Sequence, residues 1–261
     1  MEHAPRAAVR IPAPGRAEQV RGAHPEHAEP SAPAALPPPR RMPERHSVRD
    51  QVLRALRSAL VSGELEPGGV YSAPVLAERF GVSATPVREA MQLLAREGAV
   101  QAMPNRGFRV AERSPRDFAE LAEVRAMIEV PVVLRLARTV PAERWEALRP
   151  LAEAAVATAA LGDRAAYAEA DRAFHRALLE LAGNRQLATV ADELHRRAQW
   201  PSAAAPGSAS GLGRRGRTGG VSAELLADAQ EHAALLEALA QGDLCTVEAL
   251  IRAHVAGPAR G

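Results

Sequence analysis

Asp171, His175, His232 and His254 are residue types that ligate metals, and all four fall on apolar stripes in the C-terminal half of the chain. Asp171 and His175 are i, i+4 neighbours on the stripe Tyr167, Phe174, Leu178 and Ala182, so one helix face can offer both to a shared partner. His232 falls on the stripe Leu225, Ala229, Leu236 and Leu239, and His254 on the stripe Val247, Leu250 and Ile251. A lone inward histidine is ordinarily a satisfied core residue. Several inward imidazoles with a carboxylate need partners, and a divalent metal of the Zn, Ni or Mn type satisfies them together. The competing reading is a metal-free hydrogen-bond network. His195 lies at the edge of its stripe and is read as structural. His3, His24, His27 and His46 lie in or beside the N-terminal tail, where solvation is the default.

A second chemistry is carried by "FGVSATPVREAMQLLAREGAV", residues 80–100. The stretch reads as a helix end, a tight turn and a second helix. Ser83 or Thr85 can cap that helix, and Pro86 sits in its first turn, where a missing N–H does no harm. Val87, Ala90, Met91 and Leu94 form its buried stripe, which leaves Thr85, Arg88, Glu89 and Gln92 on the other side. Arg can grip guanine edges or phosphates, Thr a phosphate and Gln a base edge. "GAVQAMPNRGFRV" follows as two short strands with a turn at Asn105-Arg106-Gly107. Arg106 and Arg109 stand on this wing.

The elements that must position these residues follow from periodicity. Val48, Val52, Leu53, Leu56 and Leu60 predict a first helix, stopped by "SGELEPGG". A second covers about 73–80, with Gly81 just past its end. Three helices and a small hairpin give the winged helix-turn-helix plan over 47–112, whose third helix suits a DNA major groove. From 115 to 256 the pattern is helical almost throughout, with helices expected at 115–139, 142–161, 163–182, 184–199, 222–241 and 243–256. Arg125 shares the inward face of Phe118, Leu121, Ile128 and Val132. The basic, glycine-rich segment 201–220 reads as a flexible insertion. Residues 1–46, rich in Pro and Ala, read as a disordered tail. The fold class is therefore mainly α: an N-terminal winged helix-turn-helix and a C-terminal all-helical bundle.

Composition narrows the setting. Only 3% of residues are aromatic, which disfavours an all-β fold. The 33 cationic side chains are all Arg, and the net charge of +2 does not by itself announce a nucleic acid. One cysteine, Cys245, argues against an intramolecular disulfide and fits a reducing cytoplasm. No apolar run long enough to span a membrane is present, and the Pro-broken N-terminus does not read as a signal peptide.

"LAERFGVSATPVREAMQLLAREGAV" followed by "PNRGFRV" resembles the DNA-binding domain of the GntR family of bacterial transcription regulators. The VSxTPVREA core is its most specific part. Many relatives carry Arg where this chain has Ala84, and an acidic-basic pair near Ala73 and Pro74. The resemblance implies operator contacts from Ser83, Thr85, Arg88, Gln92, Arg106, Gly107 and Arg109. "DRAFHRALLELAGNRQL", "EHAALLEALAQGD" and "RAHV" resemble the FCD effector domain of the FadR-type branch. By that resemblance Asp171, His175, His232 and His254 hold the metal and Arg125 meets an effector carboxylate, while Asn184 in the "AGN" turn lines the same cavity or serves as a C-cap. The implied protein is a cytoplasmic homodimer without membrane attachment that senses a small organic acid, and repression is the commoner behaviour of such regulators. Two rivals stand beside this reading. One is a metal-dependent hydrolase or isomerase fused to a DNA-binding domain, for which no inward carboxylate besides Asp171 is evident as a general base. The other is a bundle that a metal only braces.

Overall fold

The first helix, α1 (Val48–Val61), begins where the Ser47 hydroxyl accepts the Asp50 N–H at 3.2 Å. It belongs to a computed structural model that describes residues 47–200 and 218–256, all within one contact unit. The 1–46 tail and residues 201–217 of the expected insertion lie outside the described residues. Ser72 caps α2 (Ala73–Phe80), and Gly81 closes it in the left-handed region at φ 64°. In α3 (Ala84–Arg96), Ser83 occupies the cap position without a side-chain bond, and Thr85 lies inside the helix, so neither expected hydroxyl cap forms. Leu56, Leu60, Leu76, Val87, Met91 and Leu94 lock the three helices around one core.

The wing has one strand more than the sequence suggests. β2 (Val100–Met103) and β3 (Gly107–Val110) pair antiparallel as expected. β1 (Val70–Tyr71) then adds to the other edge of β3, giving the order β1-β3-β2. A strand this short carries no readable alternation. Gly107 is what admits it: a Cβ there would stand 2.4 Å from the Tyr71 carbonyl oxygen.

α4 (Pro115–Thr139) opens with a reciprocal capping box between Ser114 and Asp117. The expected 142–161 helix is divided. Ala142–Leu148 is a 3-10 helix, and α5 (Arg149–Ala160) starts afresh with Pro150 in its first turn, a place where proline breaks no helical bond. α6 (Arg164–Glu180), α7 (Arg185–Ala198), α8 (Thr218–Gln241) and α9 (Leu244–Ala256) complete the described bundle. α8 starts four residues before the expected 222, through Gly219 and Gly220. A glycine lowers helix propensity by only about 1 kcal/mol, so the pair weakens the start without forbidding it. Val133, Leu136, Trp145, Phe174, Leu178 and Ile251 lie in the centre of the bundle. Among the described residues, no helix is long and apolar enough to cross a membrane.

Candidate metal centre and nucleic-acid interface

α6, α8 and α9 bring the predicted ligand set together. Asp171, His175, His232 and His254 are all buried, and one ligand atom from each lies within 4.8 Å of the others. His175 Nε2 and His254 Nε2 face each other at 2.8 Å. His232 Nε2 approaches Asp171 Oδ1 at 3.1 Å, and His175 Nε2 approaches the same oxygen at 3.5 Å. A proton on one imidazole can satisfy the facing Nε2 pair. It does nothing for Asp171 Oδ1 or His232 Nε2, which are close but do not meet in hydrogen-bond geometry and have no hydrogen-bond partner among the described residues. Two buried polar atoms 3.1 Å apart that make no hydrogen bond fit a cation-holding site better than a closed network. His232 Nδ1 and His175 Nδ1 have no hydrogen-bond partner among the described residues, and Glu129 Oε2 stands 3.7 Å from His175 Nδ1.

The other oxygen of Asp171 is firmly held. Arg has only donors to give, so at the 2.9 Å contact with Arg125 Nη2 the Nδ1 atom of His195 must accept. His195 therefore carries its proton on Nε2 and donates to Asp171 Oδ2 at 2.6 Å. Gln199 Nε2 donates to the same oxygen at 2.9 Å and to the Ala168 carbonyl at 2.8 Å. Oδ2 is thus occupied and Oδ1 is left to ligate. Burial works to raise the Asp171 carboxyl, but the charge and hydrogen bond of His195, with His232 and His175 close by, outweigh it and hold the group well below the usual carboxylate range. Burial, together with the neighbouring His195 and His254, keeps His175 well below the usual imidazole range, which favours the neutral form a metal needs. His254 goes the other way. Burial lowers it, but the Glu231 hydrogen bond and the charges of Asp228 and Asp171 raise it overall. Its Nδ1 lies 2.8 Å from Glu231 Oε2 and 3.4 Å from Asp228 Oδ1, which fixes the ring with Nε2 inward. The Tyr167 hydroxyl donates to Asp228 Oδ2 at 2.5 Å and steadies that carboxylate.

Several expectations change here. Asp171 is not the one inward carboxylate: Glu129 is only 1% exposed and bonds Arg125 Nε at 2.7 Å. Glu129 stands i+4 from Arg125 on the inward face, so helical spacing was the signal that could have found it. His195, assigned to the margin of its stripe, is buried and joins Asp171 to Arg125. Arg125 does lie at the cluster, with Nε and Nη2 already engaged and Nη1 without a partner among the described residues. Asn184 is not a C-cap. It is exposed, and its Oδ1 accepts from the Gln186 and Leu187 N–H groups as the N-cap of α7.

In the N-terminal half, Ser83, Thr85, Arg88 and Gln92 lie exposed along α3, while Val87, Ala90, Met91 and Leu94 turn into the core. Arg106 is exposed at the wing tip, where Asn105 takes a left-handed φ of 59°. Arg109 is half-buried on β3, opposite Val70 and Gln101. Gly107 has a steric task in the wing, as described above. The arrangement presents one polar helix face and one basic hairpin tip, the components of major-groove reading with a flanking backbone or minor-groove contact.

Comparison with known proteins agrees with both halves. Residues 48–110 match the model of bacterial regulatory proteins of the gntR family, and residues 120–257 match the FCD domain. An uncharacterised HTH-type transcriptional regulator of Streptomyces ambofaciens is 30% identical over 208 residues, covering 79% of this chain and 81% of its own. Another, from Agrobacterium vitis, is 35% identical over 131 residues, 49% of this chain and 77% of that protein. Among solved structures, E. coli McbR/YncC superposes with a TM-score of 0.60 at 25% identity, over 80% of this chain and 93% of its own. With its helix-turn-helix half and its helical half both matched, the chain belongs to the GntR family of bacterial regulatory proteins and is a ligand-responsive, DNA-binding transcription regulator with an FCD effector domain.

Proposed function

We propose that the protein is a homodimeric repressor whose operator affinity responds to a small organic acid held beside a divalent metal. The observation that carries the reading is the orphaned pair Asp171 Oδ1 and His232 Nε2, buried within reach of His175 and His254. Asp171, His175, His232 and His254 would hold the metal, which when bound supplies a Lewis-acid attraction for a carboxylate. Arg125 orients that carboxylate through its Nη1 edge, while Glu129 and His195 hold the guanidinium in place. Glu231 and Asp228 keep His254 in its ligating tautomer. Ser83, Thr85, Arg88 and Gln92 would read the operator groove, with Arg106 and Arg109 reaching its flank. A second copy places a second reading helix on a palindromic site.

Repression is supported by the names of relatives. The probable D-xylose utilization operon transcriptional repressor of Paenarthrobacter nicotinovorans is 32% identical over 143 residues, 55% of this chain and 63% of that protein. The enzyme alternative gains a second buried carboxylate in Glu129, but that group is paired with Arg125 and is not poised as a base. The matched families and relatives are regulators, which favours a sensor. The test is elemental analysis of the purified full chain alongside Asp171→Ala. About one metal per wild-type chain and loss in the variant is expected, and equal metal in both would place the ion elsewhere.

A further inference from the structure

The last turn of α7 faces two ways. His195 and Gln199, one turn apart, both donate to Asp171 Oδ2. Arg196 and Trp200, also one turn apart, face the DNA-binding half. Arg196 reaches Glu97 at 3.5 Å, and Glu97 is the C-cap of α3 and pairs with Arg57 of α1. Trp200 is 4% exposed and belongs to the same buried cluster as Leu56, Leu60 and Met91, the core of the winged helix-turn-helix. Arg196 is braced from its own helix by Asp192, which also holds Arg172 of α6. The end of α7 and the two residues after it therefore grip the Asp171 carboxylate on one side and lend an aromatic side chain to the other domain's core on the other.

We infer that Gln199 is a positioning residue for Asp171 and that the Gln199–Trp200 step carries the state of the metal centre into the DNA-binding core. The inference rests on the sensing role proposed above for the Asp171 site. A change in what Asp171 Oδ1 binds alters the pull on Oδ2. His195 and Gln199 are the groups that feel it, and the peptide unit after Gln199 belongs to Trp200. Packed interiors do not deform smoothly, so a shift in that turn must move Trp200 within its pocket or move the pocket with it. Either outcome re-aims α3, whose C-cap is tied to the same turn through Glu97.

The chain has two tryptophans, Trp145 and Trp200. 5-Fluorotryptophan in the full chain then gives two fluorine resonances, with Trp200 assigned from Trp200→Phe. The partner DNA is a duplex selected from a random library by the wild-type protein. Asp171→Asn without metal should shift the Trp200 resonance. Zn2+ should shift it in the wild type with the midpoint of calorimetric Zn2+ binding. Gln199→Leu should bind Zn2+ roughly 10–100-fold more weakly and, at Zn2+ that saturates it by calorimetry, should lose the Trp200 response. The Zn2+-dependent change in duplex affinity, expected to be about five-fold or more in the wild type, should fall below about two-fold in that variant. A Trp200 resonance at one position in wild type, Asp171→Asn and Gln199→Leu, each with a cooperative melt, overturns the coupling. So does a full Zn2+ response of duplex affinity in Gln199→Leu. Absence of Zn2+ binding in the wild type overturns the metal reading instead, and the Asp171→Asn comparison still decides the coupling.

Discussion

His254 shows how a single side chain can be committed by its second nitrogen. Glu231 holds Nδ1 at 2.8 Å, so the ring presents Nε2 to the cluster. Removing that hold while keeping the shape tests whether the ring's orientation matters. Glu231→Gln should lower metal affinity by roughly 10–100-fold, read by calorimetry, with the fold retained because Glu231 is half-exposed. Unchanged affinity would mean that His254 is oriented by packing alone. Arg125→Ala makes the complementary cut. It should keep the metal and lose the response to acetate or lactate, since it removes the donor next to the cluster and leaves all four ligand residues intact. A variant that instead loses its metal would show that Arg125 acts by holding His195 against Asp171.

Helices show more clearly what could be read before the structure and what could not. The amphipathic stripes of α3, α4 and α6 were legible because apolar residues recur every three to four positions. Stripes of the same kind on α6, α8 and α9 turn Asp171, His175, His232 and His254 inward, so their coming together was legible too. Glu129 escaped because an acidic residue among Ile128, Val130 and Pro131 looks like an exposed one until Arg125 is placed beside it. β1 escaped because Val70–Tyr71 is too short to show a period, and its pairing with β3 is set by a contact at Gly107 distant in sequence. The sequence suggests an effector-cavity or C-cap role for Asn184, but the N–H groups of its neighbours Gln186 and Leu187 claim its Oδ1. Asn184→Ala should therefore cost about 1 kcal/mol in denaturant unfolding and leave any acid response unchanged. A lost response at full stability would return Asn184 to the cavity. On α3, Arg88→Ala should weaken binding to a selected duplex by about 1–3 kcal/mol if it reads a base. Equal weakening on all sequences, with a shallower salt dependence, would assign Arg88 to a phosphate.

At the scale of the whole molecule, the candidate metal cluster draws on α6, α8 and α9, while the end of α7 and the residues after it join it to the core of the DNA-binding half. A metal bound to the folded chain alone stabilises it by mass action, by about 2.7 kcal/mol when free metal stands at 100 times its dissociation constant. For a chain of this size that corresponds to a rise in melting temperature of roughly 5–10 °C. How the rise is distributed is the informative part. Trp200 belongs to the core of the DNA-binding half, and Glu97 bonds residues on both sides of the boundary. Both halves should therefore melt in one transition that moves as a whole when Zn2+ is added to chelator-treated protein. His232→Ala should melt at the chelator-treated temperature with or without Zn2+. Calorimetry that resolves two transitions, with only the later one moved by Zn2+, would show the two halves to be thermodynamically separate, and the contact at Trp200 would then be packing without linkage.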